Sequence, residues 1–335
     1  MSNDTVTFLG CGSWGAALGS VLENKGLNVR FWHRNPETVN NMQMTRKHYL
    51  MPNVKFGHRV SFYSDIEESI IGSKTIVLAI PSQNVREIIS YIKNSINSSV
   101  YIINVAKGIE RETLKTVSEV VFDELKDLSN YVTFSGPSHA EEVLANTPTA
   151  IVSASKNISA ANFVQKLFST NKLRVYTNND LIGVEIGGSA KNVIAIAAGF
   201  CDGFGYGDNT KSALMTRGIK ELSKLGSCFG ARMDTFFGLA GIGDLIVTCS
   251  SVHSRNRKLG ERIGKGIVLD DAMNRSHMVA EGVITAYSIK KLSEKFNIEM
   301  PICNAVYNVL YQNADPVKEV DVLMSRDLKS ESFIY

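Results

Sequence analysis

Apolar positions along this chain change their period near residue 183. Before that point, short β-branched and aromatic runs recur at 6–9, 28–33, 59–63, 75–80, 100–105, 132–135, 149–154 and 173–177. The run at 75–80 is apolar without alternation, as expected of a parallel strand covered on both faces. Helical patterns separate several of these runs, at 16–26, from Pro36 onward and at 85–95. Asn35 before Pro36 supplies a cap and a first-turn proline. Strand alternating with helix predicts an α/β domain with a doubly wound sheet over residues 1–182. Beyond it the β-type runs largely stop. Helical patterns at 183–199 and 209–225 predict an all-helical domain over 183–335, with the glycine-rich 199–208 as a turn and 318–335 as a charged, frayed end.

The first run leads straight into Gly10-Cys11-Gly12-Ser13-Trp14-Gly15 and a helix that ends at Gly26. In a dinucleotide-binding turn Gly10 makes the tight bend, Gly12 lets the backbone approach a pyrophosphate, and Gly15 lets the helix pack on the strand. The helix N-terminus adds N–H groups and a positive dipole end. Strand, glycine turn and helix in this order predict a Rossmann-type cofactor domain. At the end of the second strand, where an NAD-specific protein carries an acid, stands His33-Arg34. Cationic and donor groups there suit a 2′-phosphate, so NADPH is expected to be accepted and preferred, the alternative being a solvated loop pair. Lys107-Gly108 and Gly136-Pro137-Ser138-His139 follow the strands at 100–105 and 132–135, at the carboxyl ends where open α/β sheets bind ligands.

Lys191 lies within GVEIGGSAKNVIAIAAG (183–199), which is small or apolar nearly all round and therefore reads as a buried helix. Lysine is seldom fully buried unpaired. Glu185 stands roughly 120° around the axis at 3.6 residues per turn, so a partner from elsewhere is expected. Two readings stay open: a stem that packs while its ammonium reaches water, or an amine held for chemistry. The two halves are expected to meet along this helix. Further on, residues 238–266 gather Asp244, Thr248, Ser254, Arg255 and Asn256 after glycine turns. Arginine's planar fork can grip phosphate oxygens and asparagine adds a neutral donor. A solvated basic face is the alternative.

Composition narrows the classes. Hydrophobic residues make up 44% and charged residues 21%, with a net charge of only +3, which argues against a general nucleic-acid or membrane partner. No aromatics interleave the basic run around Arg255. The five cysteines are scattered without a CxxC, so neither a disulfide framework nor a metal site is expected. Without a leader pattern or an uncharged span-length stretch, a cytoplasmic protein is the expectation.

The motifs GCGSWGAALG, NVAKGIE, SGPSHAEEV, GVEIGGSAKNVIAIAAG, GDNTKSALMTRG, GLAGIGDLIVTCSS, SRNRKLG and VAEGV occur in this order over roughly residues 5–285, and resemble those of the bacterial-type NAD(P)-dependent glycerol-3-phosphate dehydrogenases. The resemblance implies a 6-phosphogluconate-dehydrogenase-like layout, with NADP(H) or NAD(H) as cofactor and dihydroxyacetone phosphate or sn-glycerol 3-phosphate as substrate. The implied cofactor contacts are Gly10, Gly12, Ser13, Trp14, Gly15, His33, Arg34, Tyr49, Lys107, Ala140, Arg255, Val279 and Glu281. The implied substrate positions are Lys107, Gly136, Ser138, Lys191, Asn192, Asp244, Ser254, Arg255 and Asn256, with Lys191 the catalytic proton acceptor. Burial and Lys107 are expected to ease proton loss from Lys191, and Asp244 and Asn192 to hold it. A homodimer that supplies phospholipid synthesis completes the expectation. Cys11, Ala16 and His139 stand where many relatives carry Ala, Thr and Phe, which touches packing more than chemistry. A β-hydroxyacid dehydrogenase acting on a carboxylate and a redox-sensing module without turnover remain as other readings; the second leaves Lys107, Lys191 and Arg255 unexplained.

Overall fold

Val6, Thr7, Phe8 and Leu9 are all buried on β1 (Thr5–Leu9), so both faces of this strand are covered. The computed structural model describes residues 5–127, 129–274, 281–328, 330 and 331. The other strands are β2 (Asn28–Trp32), β3 (Val60–Tyr63), β4 (Thr75–Leu78), β5 (Tyr101–Asn104), β6 (Tyr131–Ser135), β7 (Thr149–Ala154) and β8 (Leu173–Asn178). They form one sheet in the order β3-β2-β1-β4-β5-β6-β7-β8. All neighbours run parallel except β6 and β7. Val6 pairs with Val29 on one side and Thr75 on the other, so the strand order reverses between β1 and β4. Doubly wound sheets take their ligands beyond the carboxyl ends at that switch point.

Between the strands run α1 (Ser13–Asn24), α2 (Pro36–Thr45), α3 (Ile66–Ile70), α4 (Val85–Ile92), α5 (Val117–Leu125), α6 (Ala140–Leu144) and α7 (Ile158–Phe168). The Asn35 side chain caps α2 by accepting from the N–H groups of Glu37 and Thr38. Phe31 of β2 is a centre of this core, its ring 5.1 Å from Phe8 and 5.5 Å from Phe56.

The chain divides into two compact units, 1–107 with 117–181, and 108–116 with 182–335. The excursion 108–116 corrects the boundary expected from the sequence, which left it in the first domain. Its ends are closed by a bridge between Ile109 and Thr116, and Ile109 is fully buried among the helices of the second unit, where Ser288 Oγ donates to its carbonyl at 3.3 Å.

The second unit is helical: α8 (Leu181–Gly203), α9 (Asp208–Cys228), α10 (Met233–Phe236), α11 (Asp244–Ser250), α12 (Arg255–Gly264), α13 (Leu269–Asn274), α14 (Glu281–Lys295), α15 (Pro301–Tyr311) and α16 (Pro316–Met324). By length and composition two stretches could cross a membrane, Leu181–Gly203 and Met233–Ser250; in the first, 94% of the apolar window is buried inside the fold, as in a core helix. Two expectations change here. Residues 316–324 are helical, capped by the Asp315 side chain. Helix α8 also continues through Gly203 rather than turning at Gly199, because its glycines are needed for packing. A Cβ on Gly199 would overlap the Arg257 carbonyl, and one on Gly260 the Ile196 carbonyl. Gly203 and Gly264 repeat the close approach one turn on, so the two helices touch backbone to backbone.

Candidate functional site

Each unit carries its own cluster of candidate residues. In the first, the glycine turn lies at the switch point. Gly10 has φ +105°, and a Cβ there would overlap the carbonyl of Ala79, just beyond β4. Gly15 packs with the position of its missing Cβ 2.9 Å from Ala79 Cβ. Gly12 has open space where a side chain would stand, and α1 starts after it without a side-chain cap. The indole Nε1 of Trp14 is buried with no hydrogen-bond partner among the described residues, while its ring packs with Ala17, Ala140 and Val143. Free N–H groups at a helix start, an open glycine and an orphaned donor fit a dinucleotide with its pyrophosphate at Ser13.

His33 and Arg34 follow β2. Asn35 N–H donates to His33 Nδ1 at 3.2 Å, and the His33 ring meets Tyr49 edge-on at 5.1 Å. Burial, helped by the charge of Arg34, holds His33 below the ordinary imidazole value, so at neutral pH the ring offers an Nε2–H donor. Arg34 itself is exposed. Past the next parallel pair, β5 and β6, Lys107 Nζ donates to the Gly136 carbonyl at 3.0 Å and Ser138 Oγ to the same carbonyl at 2.9 Å. Gly136 has φ +149°, a conformation that leaves its carbonyl shared by both donors and that few L-residues adopt.

In the second unit Lys191 is 4% exposed on α8, and its ammonium donates to Asp244 Oδ1 and, at 2.7 Å, to Thr248 Oγ1. The partner thus comes from α11, as the position of Glu185 required. Backbone geometry brings the two helices together. Gly187, one turn before Lys191, lets the Ala240 carbonyl come within 2.6 Å of where a Cβ would be. Ala240 belongs to a π-helical turn, Leu239–Gly243, which delivers Asp244 as the first residue of α11. Such π turns often aim side chains at functional sites. Thr248 lies one turn further; its hydroxyl gives its proton to the Asp244 carbonyl at 2.6 Å, so it faces Lys191 as an acceptor. Asn192 is buried, with its peptide carbonyl against Gly282.

Helix α12 carries the anion candidates in its first turn. Ser254 is its N-cap, accepting from Arg257 N–H at 3.2 Å, and Arg255 is exposed beside it. Asn256 accepts the Gly282 N–H through Oδ1 at 3.1 Å, which ties it to the start of α14 next to Glu281 and keeps its amide hydrogens for donation. Arg257 is held by Asp202 of α8 in an ion pair of 2.5 Å that is not an aligned hydrogen bond, and Lys211 donates to the same carboxylate at 3.0 Å. Nothing in the local sequence pointed to Asp202 or to the structural use of Thr248. Val279 lies outside the described residues. Among the described residues no cluster of His, Cys, Asp or Glu could hold a metal, and the cysteines are free.

A glycine cradle at the switch point of a parallel sheet, together with a buried amine on a helical unit, defines the class: a nicotinamide-dependent dehydrogenase. Family profiles agree. The profile described as NAD-dependent glycerol-3-phosphate dehydrogenase N-terminus matches residues 5–161, and the corresponding C-terminus profile matches 180–321. The chain is 49% identical to glycerol-3-phosphate dehydrogenase [NAD(P)+] of Clostridium acetobutylicum over 98% of this chain and 99% of that protein. It is 46% identical to the protein of the same name from Clostridium tetani, covering 97% of this chain and 93% of the relative. A solved structure of glycerol-3-phosphate dehydrogenase from Coxiella burnetii superposes with a TM-score of 0.93 at 36% identity, over 97% and 99% of the two chains. The chain belongs to the NAD-dependent glycerol-3-phosphate dehydrogenase family, and its cofactor is NAD(P)(H).

Proposed function

We propose that this enzyme interconverts dihydroxyacetone phosphate and sn-glycerol 3-phosphate, with Lys191 exchanging the proton on the substrate's C2 oxygen. The observation that carries the proton role is a lysine held inside an apolar helix by Asp244 and Thr248. When bound, the reduced nicotinamide supplies the hydride that C2 accepts. Lys191, charged, donates to the carbonyl oxygen during reduction; in the reverse direction the neutral amine takes the hydroxyl proton. Asp244 and Thr248 fix the amine's direction so that its proton need not be sought from water. Ser254, Arg255 and Asn256 in the helical unit, and separately Lys107 and Ser138 in the sheet unit, carry donor groups of the kind a phosphate takes. A phosphate grip also separates this reading from a carboxylate-acting β-hydroxyacid dehydrogenase.

We further propose a cytoplasmic homodimer that supplies glycerol 3-phosphate for glycerophospholipids; the relatives' names fit the production of glycerol 3-phosphate. The deciding experiment follows the oxidation of NADPH and of NADH with dihydroxyacetone phosphate, for the parent and for Lys191→Ala. The variant should lose about 10²- to 10⁴-fold in kcat while its NADPH affinity stays. Retention of full kcat would remove Lys191 from the proton step.

A further inference from the structure

His48 lies in the loop 46–56 between α2 and β3. The loop closes on itself: Phe56 N–H donates to the Arg46 carbonyl at 2.8 Å and His48 N–H to that of Val54 at 3.0 Å. The imidazole points inward and is 1% exposed, while the next residue, Tyr49, is 38% exposed. Its three polar contacts settle its protonation. Leu50 and Met51 N–H both donate to Nδ1 at 3.1 Å, so Nδ1 carries no hydrogen. Nε2 then holds the proton and donates to the Cys11 carbonyl at 2.9 Å. Cys11 is the residue between Gly10 and Gly12 of the glycine turn. One ring therefore joins the loop bearing Tyr49 to the turn that would receive the pyrophosphate, and Tyr49 in turn packs on His33.

We propose that His48 is a positioning residue for the cofactor: in its neutral Nε2–H form it ties the Tyr49 loop to the glycine turn, and cofactor binding weakens when the ring takes a second proton. This rests on the cofactor cradle read above. A proton on Nδ1 would face two N–H donors and break both bonds, freeing Tyr49 from its place beside His33. Of the titratable groups that act on the ring, His33 opposes a second proton by its charge, while the Cys11 carbonyl accepts the hydrogen bond that favours it. Burial, and after it the charge of His33, holds His48 below the ordinary imidazole value, against the pull of the Cys11 carbonyl. With the tied form binding fewer protons than a released one, the tie is intact above about pH 6.5 and is lost as pH falls below it.

NADPH affinity, followed by nucleotide fluorescence from about pH 8 to about pH 5.5, tests this in the full chain, in His48→Gln and in His48→Phe. Glutamine keeps a donor and an acceptor but does not titrate. The cofactor's 2′-phosphate titrates in parent and variant alike, and the same comparison in a His33→Gln background removes the charge that couples to His48, so the difference isolates His48. The Gln variant should match the parent within roughly threefold at the higher pH, and the parent should lose roughly tenfold more affinity on acidification. The parent-to-Gln ratio of KM for NADPH should follow the same curve, with the ratio of their kcat values unmoved across the range. The Phe variant should bind weakly throughout; if it does not fold, the parent and Gln curves still decide. Parallel curves for parent and Gln overturn the role of His48 alone. A parent that binds neither NADPH nor NADH at the higher pH overturns the cofactor cradle itself.

Discussion

Thr248 decides how the amine of Lys191 is held. With its hydroxyl proton committed to the Asp244 carbonyl, its lone pair is the second support for the ammonium at 2.7 Å. Thr248→Val keeps the shape and removes that support. A hydrogen bond to a charged group contributes about 1.5–3 kcal/mol, so kcat should fall by roughly tenfold or more with NADPH affinity unchanged in steady-state kinetics. An unaltered kcat would leave Asp244 as sufficient anchor. That a lysine in a small, apolar helix needs a partner was legible from residue spacing. Spacing alone did not name the partner; Asp244 entered as an expectation with the family resemblance, and it lies 53 residues on in the sequence, reaching Lys191 through the π turn beside Gly187.

At the scale of elements, the contact of α8 with α12 fixes where the first turn of α12 presents Ser254, Arg255 and Asn256. Gly260→Ala puts a methyl group into the Ile196 carbonyl, and the helices must part. Overpacking of this kind costs about 1–3 kcal/mol, so the midpoint of thermal unfolding should drop and the KM for dihydroxyacetone phosphate should rise. A lower midpoint with unchanged KM would confine the seam to stability. A second helix junction is sensitive to pH. Glu221 of α9 accepts the N–H groups of Ile302 and Cys303 at the start of α15, at 2.7 and 3.0 Å. Burial nevertheless pushes its carboxyl up to about 7. The folded state then binds a proton that the unfolded state releases, so this group's stabilisation is complete at low pH and fades as pH rises towards 7, by about 3 kcal/mol. Glu221→Gln should flatten that part of the pH dependence of the unfolding midpoint. An unchanged slope would assign it to other groups. Glycines in GFCDGFGYGD read locally as a turn; packing made the first two, Gly199 and Gly203, helical, because the energy gained is between helices and leaves no trace in local propensity.

For the whole molecule, two units with separate cores imply that cofactor binding and proton exchange can be separated by substitution. NADPH at a hundredfold over its Kd should add about 2.7 kcal/mol to the stability of whatever folds around it. Calorimetry should show that gain in the parent and equally in Lys191→Ala; its loss in the variant would tie the lysine to cofactor binding. The sequence by itself determined the alternation of strands and helices, the glycine turn and the buried lysine, because side-chain period, glycine spacing and an isolated charge are local properties. Only the tertiary structure decided that 108–116 packs with the helices, that Asp202 grips Arg257, and that His48 joins the Tyr49 loop to the carbonyl of Cys11. Each of those depends on groups distant in the chain becoming neighbours, and a backbone carbonyl as partner has no residue type by which it could be foreseen.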